Sequence, residues 1–130
     1  MLTMIREVID RFDIDGVSLC FVRGPMSVGY EDIVIDDFRK KHGIDLRSID
    51  ENDIRAQRHR AGYLTEFVRS VRGMVDEAEK KKGKELELTA MLYPGTWKKG
   101  FASNLFFGFD LEIWLDERFL DGVFMFVGVA

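Results

Sequence analysis

The amino-acid sequence predicts an α/β fold built from parallel βα units, part of a (β/α)8 TIM barrel. Helical and short apolar segments follow one another in the order helix, strand, helices, strand, helix, strand, and helical crossovers produce parallel sheets. Only three strands are evident, whereas a complete barrel has eight strands and about 250 residues. The apolar residues 123–130 have no helix after them to cover a strand. We therefore expect residues 1–130 to form a single partial barrel domain, truncated at the C-terminus, with truncation at the N-terminus left open.

Composition and charge argue against a nucleic-acid-binding or a membrane-spanning protein. The 130 residues are 46% hydrophobic and 32% charged, which is typical of globular domains. A net charge of −4 argues against a nucleic-acid partner, and no apolar run approaches the roughly 18 residues of a membrane span. The N-terminus does not resemble a signal peptide, which predicts a cytoplasmic location only if the chain is complete. With Cys20 the only cysteine, an internal disulfide is excluded.

The first half of the chain contains two predicted helices around one strand. Residues 2–12 have the spacing of a short amphipathic helix, with Ile5, Val8, Ile9 and Phe12 on one face. Residues 17–22 form an apolar strand that ends before a Gly-Pro pair. A second helix is predicted over residues 31–41, with Gly43 as its left-handed C-terminal residue.

The second half begins with the strongest helical pattern. Apolar residues recur at three- and four-residue steps through 54–82, followed by a lysine run and Gly83. A strand is predicted over 85–93, an aromatic-rich loop over 94–108 and a third strand over 123–129. Asp110 is more often a helix cap than a catalytic acid in this position, before a short helix through Glu117.

Candidate site residues follow from the rule that barrel active sites lie at the C-terminal ends of the strands. The acidic residues at strand beginnings, such as Asp13 and Asp121, are therefore assigned to the opposite face, where they contribute to stability. The substrate-binding candidates on the functional side are Arg23, Tyr30, Glu31, Tyr93, Trp97 and Asn104.

Each candidate also has a structural interpretation. Arg23 would either bind a carboxylate or a sugar hydroxyl, or form a salt bridge to Glu31 or Asp32 within its own loop. The aromatic candidates suit stacking on a sugar ring, but Trp97 would equally pack under a long loop.

Two further groups of residues have mainly structural interpretations. Cys20, if it points to the barrel axis, is expected to be a buried small apolar residue rather than a nucleophile. The cluster Arg55, Arg58, His59 and Arg60 is most simply a solvated helix start. No phosphate-binding glycine pattern and no metal-ligand spacing is present, so we predict no cofactor and no metal.

Several segments resemble the family 10-like glycosyl hydrolases, a group of bacterial barrel proteins. Residues 12–16 (FDIDG) and 23–25 (RGP) are similar to a YDVDG turn and to the Arg and Pro that end the following strand in that family. Residues 38–45 (FRKKHGID) resemble its FxxKYGxD stretch, and 64–72 resemble its long helix. Residues 108–114 (GFDLEIW) resemble its GxDxxxW helix start. The similarity spans nearly the whole chain.

The resemblance implies a glycoside hydrolase-like barrel that binds or acts on carbohydrate, with the remaining barrel strands, or a second copy, covering the sheet edges. Many relatives have FDRIR where residues 19–23 read LCFVR, so Cys20 replaces an aspartate. Glycoside hydrolysis usually requires two carboxyl groups, and we expect this chain alone to be inactive. The alternatives are a non-catalytic carbohydrate-binding or scaffold barrel and a small dimerising α/β domain; the catalytic residues are unknown.

Overall fold

A computed structural model describes residues 1–22, 27–92 and 104–126. The elements, in chain order, are α1 (Leu2–Arg11), β1 (Gly16–Phe21), α2 (Asp32–His42), the 3₁₀ helix η1 (Leu46–Ser48), α3 (Ile54–Lys82), β2 (Glu87–Leu92), the 3₁₀ helix η2 (Asn104–Phe107), α4 (Leu111–Asp116) and β3 (Gly122–Met125).

The three strands form one parallel sheet in the order β1-β2-β3. In the shared register, Leu19 pairs with Ala90 and Ala90 with Val123. The predicted α/β class with parallel βα units is therefore confirmed, whereas the eight-stranded barrel remains a prediction.

One face of the sheet is buried and the other is open. Leu88, Ala90 and Leu92 alternate along β2 and are buried. The opposite face carries Cys20, half-buried Met91 and Phe124, which are in register across the three strands. Cys20 is exposed there rather than buried as a small core residue.

By internal contacts the described residues divide into two compact units. The first unit comprises residues 1–22, 66–92 and 112–126 and contains the sheet. Its buried residues include Val68, Val71 and Val75 of α3, at three- and four-residue steps, and Trp114, which lies 6.1 Å from the Phe21 ring. The part of the predicted apolar stripe that lies in residues 66–82 thus supplies the helical side of this core.

The second unit comprises residues 27–65 and 104–111 of the described chain. Gly43 has a φ of 73° and donates its backbone N–H to the carbonyl of Arg39, so the predicted end of α2 is confirmed. The apolar core of this unit consists of Val34, Ile35, Phe38, Leu46 and Ala56, with Val28, Ile44, Ile49 and Tyr63 packed against it.

The apolar face predicted for α1 is mostly not buried. Ile9 is buried, but Val8 and Phe12 are exposed. Helical spacing identifies an apolar face without showing whether a neighbouring element covers it. The third strand is also shorter than predicted, since β3 ends at Met125 and residues 127–130 lie outside the described chain.

Candidate functional site

The structure brings three of the predicted binding residues, Tyr30, Glu31 and Asn104, into the second unit. Arg23, Tyr93 and Trp97 lie outside the described residues. We call Tyr30, Glu31 and Asn104 the candidate site. They occupy the connections that follow β1 and β2, as the barrel rule predicts for functional residues.

The connection after β1 is ordered by two hydrogen bonds that Glu31 accepts. Glu31 is the N-cap residue of α2, and its carbonyl accepts the N–H of Ile35 at 3.1 Å. Its side chain turns back, so that Oε2 accepts the backbone N–H of Gly29 at 3.0 Å. The adjacent Tyr30 remains 38% exposed, so part of this aromatic residue is accessible to a ligand.

The connection after β2 contributes η2. The carbonyl of Asn104 accepts the N–H of Phe109 at 3.0 Å, and Gly108 allows the intervening turn with a φ of 94°. The N–H of Ser27 donates to the carbonyl of Phe107 at 3.2 Å, so a backbone hydrogen bond joins the two connections directly.

The side chain of Asn104 contains a polar atom that lacks a hydrogen-bond partner among the described residues. Its side-chain Oδ1 is buried and accepts no hydrogen bond within the part of the chain that the structure describes. Leaving a buried carbonyl oxygen without a donor costs about 1–3 kcal/mol. A donor that reached this buried oxygen after a local rearrangement of the surrounding residues would recover that free energy.

Arg60 of α3 contacts the candidate site through the Tyr30 ring. The interpretation of Arg60 from the sequence was wrong. Arg60 was expected on a solvated helix start, but only 1% of its surface is exposed. Its guanidinium carbon lies 5.4 Å from the centroid of the Tyr30 ring and 5.9 Å from that of Phe106, within cation–π range of both. A signal for this burial was present, since Arg60 lies four residues after Ala56 and four before Leu64 on the helix.

His59 is likewise part of a packed cluster and not a solvated residue. Its Nε2 lies 2.8 Å from the Val34 carbonyl and donates to it, and its ring packs edge-on against Phe38 and Tyr63. The Tyr63 hydroxyl donates to Oδ2 of Asp37 at 2.6 Å. Burial and this hydrogen bond raise the pKa of Tyr63 to about 12.

Arg55 is exposed, as predicted, and the arginine-rich start of α3 is compensated locally. Asp53 accepts the backbone N–H of Arg55 at 2.8 Å and also its guanidinium at 2.8 Å. These bonds, with that of the Arg55 side chain the largest cause, lower the pKa of Asp53 to about 2. The carboxylate caps the helix and offsets the unfavourable positive charge in the first turn.

The first unit contains a charged cluster near the beginnings of β2 and β3, formed by Arg72, Asp76, Glu79 and Asp121. Oδ2 of Asp121 accepts the Leu88 N–H at 2.7 Å and the Arg72 guanidinium at 2.9 Å. Arg72 is also bonded to Asp76 at 2.7 Å and lies 3.8 Å from Glu79. The cluster lines an open groove of about 520 Å³. Asp121 therefore ties two strands to α3, in agreement with its predicted structural role.

Within the described chain, no group of three His, Cys, Asp or Glu side chains is placed to hold a metal ion. None of its helices is both long and apolar enough to cross a membrane. Comparison of the sequence with protein-family models and with curated proteins finds no match.

Proposed function

We propose that this chain is part of a glycoside hydrolase-like (β/α)8 barrel that binds carbohydrate through Tyr30, Glu31 and Asn104. The observation that carries the proposal is the buried, unsatisfied Oδ1 of Asn104 in a connection hydrogen-bonded to the one that contains the accessible Tyr30 ring. Sugars offer the matching chemistry, because they combine apolar ring faces with hydroxyl donors.

The sheet topology supports the barrel. Successive strands are nearest neighbours, and right-handed parallel crossovers between successive neighbours place their helices on the same face of the sheet. For the crossover helices that the structure describes, that arrangement leaves the other face uncovered, as in the interior of a barrel. The sheet face on which Cys20, Met91 and Phe124 are in register would then be the one that faces the barrel interior.

Carbohydrate binding is favoured over hydrolysis. Cys20 occupies the strand position where the resemblance places an aspartate, and a thiol cannot replace that carboxyl group in acid–base work. Glu31 supplies one carboxylate at the candidate site, whereas glycoside hydrolysis usually requires two carboxyl groups. We therefore propose a sugar-binding protein without glycosidase activity of its own.

The test is affinity electrophoresis of the chain in gels containing soluble xylan, starch, laminarin or galactomannan, with aryl glycosides assayed in parallel. We expect retardation by at least one polysaccharide and no release of the aryl group. Tyr30→Ala should abolish most of the retardation through loss of ring stacking. Ile33→Ala, which truncates an exposed apolar residue of α2, should not. Equal mobility of all proteins in every gel would reject the proposal, and aryl release would reject the non-catalytic assignment.

The open sheet face favours a second candidate, a small α/β domain that dimerises. Phe124 is 56% exposed and continues an apolar row with Cys20 and Met91. Sedimentation equilibrium separates the two candidates: a dimer that Phe124→Lys converts to a monomer supports the small domain. A monomer that is retarded by polysaccharide supports the barrel.

A further inference from the structure

We propose that Arg60 is a positioning residue that holds the two halves of the carbohydrate site in their binding arrangement. The inference rests on the proposed function, and it assigns to Arg60 a role at the site although the residue is buried. The observation behind it is that the buried guanidinium lies over two rings, Tyr30 in the first connection and Phe106 in the second.

The guanidinium is held from the side of α3. Its Nη2 donates to the carbonyl of Glu51 at 3.3 Å, and Nε donates to the carbonyl of Ala56 at 3.4 Å. Glu51 lies in the turn before α3, and Ala56 lies in the first turn of the helix. These two bonds orient the plane of the guanidinium relative to the helix.

The same group then meets one ring from each connection. Tyr30 precedes Glu31 in the first connection, and Phe106 follows Asn104 by two residues within η2. A displacement of the guanidinium would therefore move the stacking ring relative to the unsatisfied Oδ1. Lysine retains the charge but lacks the planar group that contacts two rings and two carbonyls at once.

The test measures site geometry and ligand binding separately. Arg60→Lys should fold with the same far-UV circular dichroism, yet lose affinity in the four polysaccharide gels by about tenfold. Amide exchange of Ser27, which is bonded to Phe107, should accelerate by a similar factor, whereas Gly43, bonded to Arg39, should exchange as in the unmodified chain. A purely structural role would accelerate both amides together.

Arg60→Ala provides a second test through chemical rescue. Millimolar guanidinium should restore polysaccharide retardation to this variant and leave the exposed control Arg58→Ala unchanged. Unaltered Ser27 exchange and unaltered retardation in Arg60→Lys would overturn the inference. If the unmodified chain binds none of the four polysaccharides, the proposed function fails. In that case, faster amide exchange at Ser27 than at Gly43 in Arg60→Lys would still support the role of Arg60 in positioning the two connections. Unchanged exchange at Ser27 would overturn this role as well.

Discussion

Each of the two compact units contains an arginine with little exposure, and the two arginines differ in their surroundings. Arg72, in the first unit, is bonded to the carboxylates of Asp76 and Asp121. The contacts of Arg60, in the second unit, include the carbonyl oxygens of Glu51 and Ala56 and the rings of Tyr30 and Phe106.

The difference separates a cluster that stabilises the fold from one that is suited to a ligand. In the first cluster a single carboxylate, Asp121, satisfies both a strand N–H and Arg72. In the second, Asn104 Oδ1 accepts no hydrogen bond within the described chain, and the connection that contains Asn104 is joined to that of Tyr30 through a backbone hydrogen bond. Satisfied groups contribute to stability, whereas an unsatisfied group costs stability unless a ligand pairs with it.

The largest predicted effect concerns the first cluster. Arg72→Leu leaves three carboxylates without their shared cation, and since the Arg72 side chain is only 12% exposed we expect a loss of about 2 kcal/mol in unfolding free energy. The control is Arg11→Leu, which breaks a pair whose arginine is 71% exposed and should cost less than about 0.5 kcal/mol. Urea denaturation measures both. Equal losses would contradict the assignment of Arg72 as a structural centre.

A smaller, pH-dependent effect is predicted in the second unit. The neutral Tyr63 hydroxyl donates to Asp37, and the pKa of Tyr63 is raised from 10.0 to about 12. Because the folded-state pKa is the higher one, the stability contributed by Tyr63 is complete below pH 10 and is lost as the pH rises towards about 12.

Tyr63→Phe isolates this contribution. The difference in unfolding free energy between the unmodified chain and the variant should be smaller than the Arg72 effect and constant between about pH 4 and 10. It should shrink at high pH as Tyr63 ionises. It should also shrink in acid, because the bond from Tyr63 lowers the pKa of Asp37 from 3.8 and protonation removes that advantage. A difference that persists unchanged above pH 12 would contradict the role of the hydrogen bond.

The sequence predicted the elements of the fold more completely than it predicted the site. The bounds of α3, Ile54–Lys82, match the prediction because a long apolar repeat with a C-terminal glycine is a local signal. The burial of Arg60 depends on the rings of Tyr30 and Phe106, which are distant in sequence, and charge alone predicted exposure. The unsatisfied Oδ1 of Asn104 likewise depends on packing, although its location after β2 was predictable from the barrel rule.

The smallest predicted stability effect belongs to Asn104, and it tests the central claim most directly. Asn104→Ala removes an amide whose Oδ1 is buried without a donor, so its unfolding free energy should change by less than about 0.5 kcal/mol or rise. Asn52→Ala, which removes an amide bonded to Asp50, is the matched control for polysaccharide binding.

The decisive measurement is polysaccharide retardation of Asn104→Ala alongside its urea denaturation. We predict undiminished stability together with at least a severalfold loss of affinity, while Asn52→Ala is retarded like the unmodified chain. A variant that loses stability and retains its affinity would show that Asn104 serves the fold, and it would contradict the candidate site.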